Sequence, residues 1–223
     1  MLHDLVNRCA PLPSEATLCI LGAGFSGGHL AKLSKALNTR VICTRRQPES
    51  GSDELPFDSA NGIVPGHEAL ASVTHLISTI PPSKEGADPV LSCLGEQLQK
   101  LPLQWVGYLS TTGVYGNSNG DWVDETHEPK PTQLRSQKRL DCEQLWRNSG
   151  LPVQILRLPG IYGPGRSPLA AVRSGEVIPV DQPGQVFCRI HVDDLAGACW
   201  HLMHRAALGQ RPAVVNISDN RPA

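Results

Sequence analysis

The chain has 223 residues, a formal net charge of −1 at neutral pH, 40% hydrophobic residues and 18% charged residues. These values are typical of one compact domain, or of one domain with a smaller lobe. The near-neutral charge and the 4% aromatic content argue against a nucleic-acid-binding surface, which needs clustered cations and stacking platforms. No apolar run reaches membrane-spanning length, and residues 1–16 lack a signal-peptide pattern. We therefore expect a cytoplasmic protein that binds neither nucleic acid nor membrane.

The first predicted strand leads directly into a glycine motif. Residues 17–21 form an apolar run, and Gly22, Gly24 and Gly27 follow it with the spacing G-x-G-x-x-G before a predicted helix over 27–38. Such glycines allow a tight turn, a close backbone approach to a pyrophosphate, and close packing of helix on strand. The helix N-terminus offers N–H groups and a partial positive charge to phosphates. The predicted dinucleotide-binding residues here are Gly22, Gly24, Phe25, Ser26 and Gly27.

Strand-like and helix-like segments alternate along the chain. Further strands are predicted at 40–44, 74–80, 104–110 and 153–158, a short one at 62–64, and helices at 88–100 and 133–149. Strands that are separated by helices need crossover connections, which produce a parallel sheet covered on both faces. The pattern predicts an α/β fold with a Rossmann-type doubly wound parallel sheet.

The pattern changes after residue 158, where segments rich in proline and glycine precede a predicted helix over 193–206 and a last strand over 213–217. We predict an N-terminal extension (1–16), a dinucleotide-binding Rossmann domain (17–158), and a small C-terminal substrate lobe (159–223). That lobe is expected to be interleaved with the final sheet elements. The seven cysteines are widely spaced and are expected to be reduced structural thiols.

The residues at the end of the second strand indicate which cofactor binds. NAD-selective sites place an acidic residue there for the ribose 2′-hydroxyl, whereas an arginine receives the 2′-phosphate of NADP. This chain has Thr44-Arg45-Arg46 and no acid, which favours NADP, although two solvated arginines at the start of a loop are the alternative. Thr79 and Pro81 lie at the carboxyl end of the strand predicted at 74–80, where open α/β sheets place ligands, and we expect them to lie beside the cofactor.

Five motifs in a fixed order resemble those of the extended short-chain dehydrogenase/reductases, in the NAD-dependent epimerase/dehydratase group. They are the glycine motif, Leu-Ser-Thr-Thr-Gly-Val-Tyr-Gly at 109–116, Asp-Glu-Thr at 124–126, Arg-Leu-Pro-Gly-Ile-Tyr-Gly-Pro-Gly at 157–165, and Ile-His-Val-Asp-Asp at 190–194. The resemblance covers residues 17–220. Members of this family usually continue for several tens of residues past the segment at 216–219, so the resemblance implies that the C-terminal substrate lobe is incomplete. It implies a small-molecule substrate such as a nucleotide sugar, and a homodimer.

The resemblance also implies a catalytic set of Ser or Thr, Tyr and Lys. Thr111 matches the hydroxyl position, with a role as a strand-end cap as its alternative. The Tyr-x-x-x-Lys pair is expected at Arg135 and Arg139 or, if the register slides by one residue, at Leu134 and Lys138. Neither register contains a tyrosine, so the chain resembles the atypical branch, which keeps the cofactor fold without the full catalytic set.

Arginine stays protonated at neutral pH and cannot exchange a proton as a tuned tyrosine does. Arg135 and Arg139 lie four residues apart and share one helix face, where they are candidates for binding ribose, phosphate or an anionic substrate. The alternative is a solvated face on which Glu143 pairs with Arg139.

Two tyrosines lie in other motif loops. Tyr115 is expected to pack structurally, with proton transfer as the alternative, and Tyr162 and Arg166 lie in a loop that lines the substrate cleft in relatives. Asp193 or Asp194 is expected to cap the last helix, and no metal site is expected.

Three functions remain open at this point. The leading one is an NADP-dependent oxidoreductase or epimerase-like enzyme, in which Thr111 orients the substrate oxygen. The second is a non-catalytic NADPH-binding sensor or assembly module, which the missing tyrosine favours. A purely structural protein is disfavoured because it does not explain the glycines and the arginine pair together.

Overall fold

The computed structural model describes residues 2–175 and 186–222. Its strands are β1 (Thr17–Leu21), β2 (Arg40–Arg45), β3 (Leu55–Pro56), β4 (His75–Ser78), β5 (Trp105–Thr111), β6 (Val153–Leu158), β7 (Gly160–Tyr162), β8 (Arg189–His191) and β9 (Val214–Asn216). Its α-helices are α1 (Leu2–Arg8), α2 (Phe25–Ala36), α3 (His67–Leu70), α4 (Pro89–Leu98), α5 (Leu134–Arg147), α6 (Pro168–Arg173) and α7 (Val192–Ala207). Short 3₁₀ helices span Ser59–Asn61 and Thr112–Tyr115.

Seven strands form one parallel sheet in the order β3-β2-β1-β4-β5-β6-β9. The chain builds the sheet outward from β1 in one direction and then returns to add β4 on the other side. This reversal places a topological switch point between β1 and β4, where open α/β sheets bind ligands at the carboxyl ends of the strands. The predicted doubly wound Rossmann-type α/β fold is confirmed.

Both faces of the sheet are covered. Strand β1 is buried along its whole length, because Leu18 and Ile20 contribute to one hydrophobic cluster and Cys19 and Leu21 to the other. Helices α2 and α7 pack together on the first face. The second cluster includes Trp146 of α5. This burial explains why the strands read as continuous apolar runs.

The chain after residue 158 adds the last strand to the main sheet and also forms a second, smaller sheet. Strand β9 pairs with β6 at the sheet edge, and β7 and β8 form a separate two-stranded parallel sheet. The predicted substrate lobe at 159–223 includes residues 176–185, which lie outside the described residues, so its boundaries stay a prediction.

The structure corrects the short strand predicted at 62–64. The edge strand of the sheet is β3, which pairs with β2 through Leu55 and Pro56. Ile63 makes only an isolated antiparallel bridge with Asp58. Helices α1, α3 and α6 and the β7–β8 pair were not predicted either, and α1 lies within the expected N-terminal extension. No helix in the part of the chain that the structure describes is long and apolar enough to cross a membrane.

Candidate cofactor and substrate cleft

A cleft of about 1040 Å³ opens beside the switch point, at the carboxyl ends of the central strands. Its volume is in the range of small-molecule and cofactor sites. The predicted site residues that line it are Gly24, Phe25, Ser26, Thr79, Pro81, Thr111, Arg135, Arg139 and Arg166. The fold therefore brings residues from five separate segments of the chain to one cavity.

The glycine loop is fixed to both neighbouring strands. Gly22 has a φ of +91°, a conformation that favours glycine, and a Cβ there would lie 2.7 Å from Thr79 Oγ1. The Thr79 hydroxyl donates a hydrogen bond to the Gly22 carbonyl. On the other side the Gly22 N–H donates to Thr44 Oγ1 at 3.0 Å. These bonds hold the loop rigidly against β4 and β2.

The other two glycines of the motif have different surroundings. A Cβ on Gly27 would lie 2.6 Å from the Gly22 carbonyl oxygen and 2.9 Å from Ile20 Cγ2, whereas a Cβ on Gly24 would meet no atom within 4 Å. Gly27 therefore permits close packing of α2 on β1, and Gly24 faces open space.

The first turn of α2 leaves donors available beside that open space. The Gly28 N–H donates to the Gly24 carbonyl, but the N–H groups of Phe25, Ser26 and Gly27 have no acceptor among residues 2–175 and 186–222. Unpaired N–H groups and the helix dipole make such a turn a site for anionic groups.

The two arginines after β2 differ in their contacts. Arg45 donates from Nε to Glu54 Oε2 at 2.7 Å and from Nη2 to Glu54 Oε1 at 3.0 Å, and this hydrogen bonding raises the pKa of Arg45. Arg46 is exposed and forms no ion pair with a described carboxylate. Of the pair predicted to bind a 2′-phosphate, only Arg46 has an unengaged guanidinium.

Thr111 ends β5 at the cleft. Its Oγ1 accepts a hydrogen bond from the Gly113 N–H at 3.1 Å and so caps the 3₁₀ helix that follows. An accepting hydroxyl still has its own hydrogen to donate. The capping role and a role toward a ligand oxygen are therefore compatible.

Arg139 and Arg135 lie at different depths in the cleft. Arg139 is half-buried, and its Nη1 donates to the Leu109 carbonyl at 2.8 Å, while its guanidinium lies 5.7 Å from the centroid of the Tyr108 ring. Arg135 is exposed and donates to Gln133 Oε1 at 2.7 Å. Arg139 is thus fixed beside the end of β5, and Arg135 stands at the cleft mouth.

The structure corrects the proposed pairing of Glu143 with Arg139. Glu143 is buried and instead binds Arg157, with Nη2 to Oε2 at 2.7 Å. Glu143 also accepts a hydrogen bond from Ser110. The side chains of this ion pair are almost completely removed from solvent, which ties α5 to β5 and β6.

None of the three tyrosines, all of which are among the described residues, lines the cleft. The Tyr115 hydroxyl donates to Asn216 Oδ1 at 2.9 Å, and its ring lies 4.7 Å from the Arg157 guanidinium carbon. The Tyr162 ring packs edge-on against His191 at 5.2 Å. Tyr108 is buried, which raises its pKa. Among the described residues, no carboxylate, histidine or cysteine lines the cleft either.

Helix α7 begins differently from the sequence prediction. The side chain of His191, rather than that of an aspartate, caps the helix by accepting from the Asp193 N–H. The Asp193 carboxylate lies 2.7 Å from His29 Nδ1 on α2, and this contact joins the two helices.

Sequence reasoning did not single out Ser136. It is 5% exposed and lines the cleft from the first turn of α5. Its position next to Arg135, the residue expected at the tyrosine position, was the available signal. Within the described ranges no three ligand-type side chains are grouped to hold a metal ion.

Comparisons with known proteins identify the family. No family model matches the chain. A conserved protein of unknown function from Silicibacter pomeroyi DSS is 38% identical, with a TM-score of 0.80, over 93% of this chain and 74% of that one. A protein from Methylobacillus flagellatus, provisionally described as an NAD-dependent epimerase/dehydratase, is 29% identical, with a TM-score of 0.76, over 94% and 77%. The chain belongs to the extended short-chain dehydrogenase/reductases, in the NAD-dependent epimerase/dehydratase group.

More distant matches are informative about the fold of this short-chain dehydrogenase/reductase. A UDP-glucuronic acid 4-epimerase from Bacillus cereus in complex with NAD is 21% identical, with a TM-score of 0.72, over 93% of this chain and 78% of that one. Protein YeeZ of Escherichia coli is 27% identical over 143 residues, which are 59% of this chain and 48% of YeeZ. The chain therefore matches about half the length of this curated relative.

Proposed function

We propose that this short-chain dehydrogenase/reductase binds a nicotinamide dinucleotide in the cleft, with the pyrophosphate at the N-terminus of α2. The observation that carries the proposal is the first turn of α2, where three unpaired N–H groups stand beside the open space at Gly24. This arrangement suits a pyrophosphate because the donors are already oriented and no side chain obstructs its approach. Thr79 and Pro81 then flank the cofactor on the β4 side.

The proposed cofactor is NADP rather than NAD. Arg46 is the free cation after β2, at the position where a 2′-phosphate would be recognised. Glu54 is the nearby acid, but both of its oxygens accept hydrogen bonds from Arg45. Its charge is therefore paired with Arg45, unlike the unpaired acid that accepts from a ribose 2′-hydroxyl in NAD-selective sites.

The proposed reaction is hydride transfer between the nicotinamide and a carbon of a small-molecule substrate, such as a nucleotide sugar. Thr111 has a hydroxyl hydrogen to donate to the substrate oxygen, and Arg139 stands behind it with a permanent positive charge. Neither group supplies a proton readily at neutral pH, so the proton that accompanies reduction comes from water or from a group outside the predicted catalytic set. Tyr162 and Arg166 belong to the predicted substrate side, and of these Arg166 lines the cleft.

A second function is favoured by a specific observation, namely that no phenol of residues 2–175 and 186–222 lines the cleft. Under this alternative the protein binds NADPH without turnover and acts as a sensor or an assembly module. Steady consumption of NADPH with a carbonyl substrate, or steady formation of NADPH from NADP+ with UDP-glucose, supports the enzyme. Binding of NADPH without either reaction supports the module.

Titration calorimetry with NADPH and NADH tests the cofactor assignment. We expect NADPH to bind wild type about tenfold or more tightly than NADH, since a charge-assisted contact is worth roughly 1.5–3 kcal/mol. Arg46→Ala should remove this preference. Arg40→Ala, which removes the same charge from an exposed site at the opposite end of β2, should leave it unchanged. Equal affinities of wild type for the two cofactors would refute NADP selectivity.

A pH–rate profile tests the proposed source of the proton if turnover is found. The expected profile of wild type lacks a phenol-like ionisation, and Tyr115→Phe and Tyr162→Phe leave its shape unchanged. An ionisation that disappears in one of these variants would identify that tyrosine as the proton donor.

A further inference from the structure

The first turn of α5 has donors that the protein itself does not use. Gln133 precedes the helix and provides no side-chain cap, and its carbonyl accepts from the N–H groups of Ser136 and Gln137. The N–H groups of Leu134 and Arg135 find no acceptor in the parts of the chain that are described, 2–175 and 186–222. Both residues line the cleft.

Ser136 provides independent evidence for a ligand at this turn. It is 5% exposed, it lines the cleft, and its hydroxyl has no hydrogen-bond partner among the described residues. A Cβ on Gly113 would lie 2.7 Å from Ser136 Oγ and 3.3 Å from Thr111 Oγ1, so the two hydroxyls flank the same point. The Ser136 residue is buried but its Oγ is not among the fully buried atoms that lack a partner, so the hydroxyl is open to the cavity and to a ligand there.

The charge of the cleft indicates the chemistry of that ligand. Arg135, Lys138, Arg139 and Arg166 line the cleft, and no carboxylate of the described residues does. Arg166 lies over the Phe25 ring at 5.4 Å, next to the proposed pyrophosphate site. The other three cations are on α5, away from that site, where the pyrophosphate does not account for them.

We propose that the first turn of α5 is a second anion-binding subsite, which holds a carboxylate or phosphate group of the substrate. The N–H groups of Leu134 and Arg135, the Ser136 hydroxyl and the Arg135 guanidinium donate to its oxygens, and Lys138 adds positive charge. Because Ser136 and Thr111 are neighbours, the anionic group lies close to the reacting carbon. This last statement rests on the proposed function, which places the reacting oxygen at Thr111.

Titration calorimetry with two small anions, oxalate and inorganic phosphate, tests the subsite on protein that is saturated with NADPH. Saturation fills the pyrophosphate site, so any anion that binds does so elsewhere. We expect at least one anion to bind, and the tighter one identifies a carboxylate or a phosphate as the natural group. Arg135→Gln should weaken binding about tenfold and Ser136→Ala a fewfold, with thermal unfolding midpoints measured to show that each variant is folded.

The matched control is Arg147→Gln, which removes the same charge from an exposed position at the other end of α5 and should change the affinity less than twofold. The subsite is refuted if neither anion binds the NADPH-saturated protein, or if Arg135→Gln and Ser136→Ala bind as wild type does. Should NADPH fail to bind while an anion still binds in a manner that depends on Arg135 and Ser136, the proposed function fails and the subsite stands.

Discussion

The two sides of the cleft have been built in different ways. The glycine side, residues 22–27, leaves three N–H groups and an open approach for a ligand. The α5 side, residues 132–139 together with the end of β5, presents arginines and hydroxyls but no phenol. Behind it lies the buried ion pair of Glu143 and Arg157. The difference teaches that, under the proposed function, the geometry for binding and the groups for proton transfer are separable: the glycine side has the donors for binding, and the α5 side has no phenol for a proton relay.

The largest expected effects separate two glycines within one turn of α2. Gly24→Val should abolish NADPH binding with the fold intact, because its side chain would occupy the space proposed for the pyrophosphate. Gly27→Val should destabilise the protein by about 3 kcal/mol or more, because its Cβ would overlap backbone. Circular dichroism, urea denaturation and NADPH titration measure both effects. If Gly24→Val still binds NADPH as wild type does, the glycine loop is not the phosphate site.

The buried ion pair gives the next largest effect, on the α5 side. Glu143→Ala should lower the free energy of unfolding by about 3–5 kcal/mol, because it leaves the Arg157 charge buried and unpaired. The control is Glu96→Ala, at an exposed position on α4. It should change the free energy of unfolding by less than about 0.5 kcal/mol. A loss for Glu143→Ala as small as that of the control, measured by urea denaturation, would show that the pair does not anchor α5.

A third prediction concerns the amino-terminal ends of the strands, which lie on the side of the sheet opposite the cleft. His75 begins β4 and is buried, which lowers its pKa to about 4 from an ordinary value of 6.5. Since the unfolded chain takes up this proton at a higher pH than the folded one, the contribution of His75 to stability is complete above pH 6.5. It is lost as the pH falls toward 4, by about 2–3 kcal/mol. Urea denaturation of wild type and His75→Gln between pH 7 and 4 should show a weaker pH dependence in the variant. If the free energies of unfolding of wild type and variant change with pH in parallel, the pKa of His75 is not the cause of the pH dependence.

The smallest effect expected is on ligand binding by Arg139. Arg139→Ala should weaken NADPH or substrate binding about tenfold through the loss of one charge-assisted contact. Arg139→Lys, which keeps the positive charge, should retain part of the affinity that Arg139→Ala loses. If calorimetry finds the affinities of Arg139→Ala unchanged, this side chain only supports the end of β5.

The sequence was sufficient for the elements that carry strong local patterns. Strands 17–21 and 153–158 have the predicted bounds, since long apolar runs in a parallel sheet are buried on both faces. Strand β3 was missed because a two-residue edge strand has no periodicity to detect. Helix α1 was missed because it is stabilised from a distance, where Leu5 packs against Gly197 of α7.

The sequence was sufficient to name nine of the residues that line the cleft, but not the partners of the predicted site residues. Glycine spacing points to a phosphate loop by itself, since each glycine has a local geometric reason. The partner of Arg45 is nine residues away, and Glu143 binds Arg157 rather than the neighbour one helical turn earlier. Choosing among such partners requires knowing which strands and helices meet, and only the folded structure provides this.

A crystal structure of the protein with NADPH tests the central claim most directly. The account predicts that the pyrophosphate oxygens accept hydrogen bonds from the N–H groups at the start of α2. It also predicts that the nicotinamide ring lies between Thr111 and Arg139, with the 2′-phosphate at Arg46. A dinucleotide bound elsewhere, or bound in this cleft with its pyrophosphate away from residues 22–27, would contradict it.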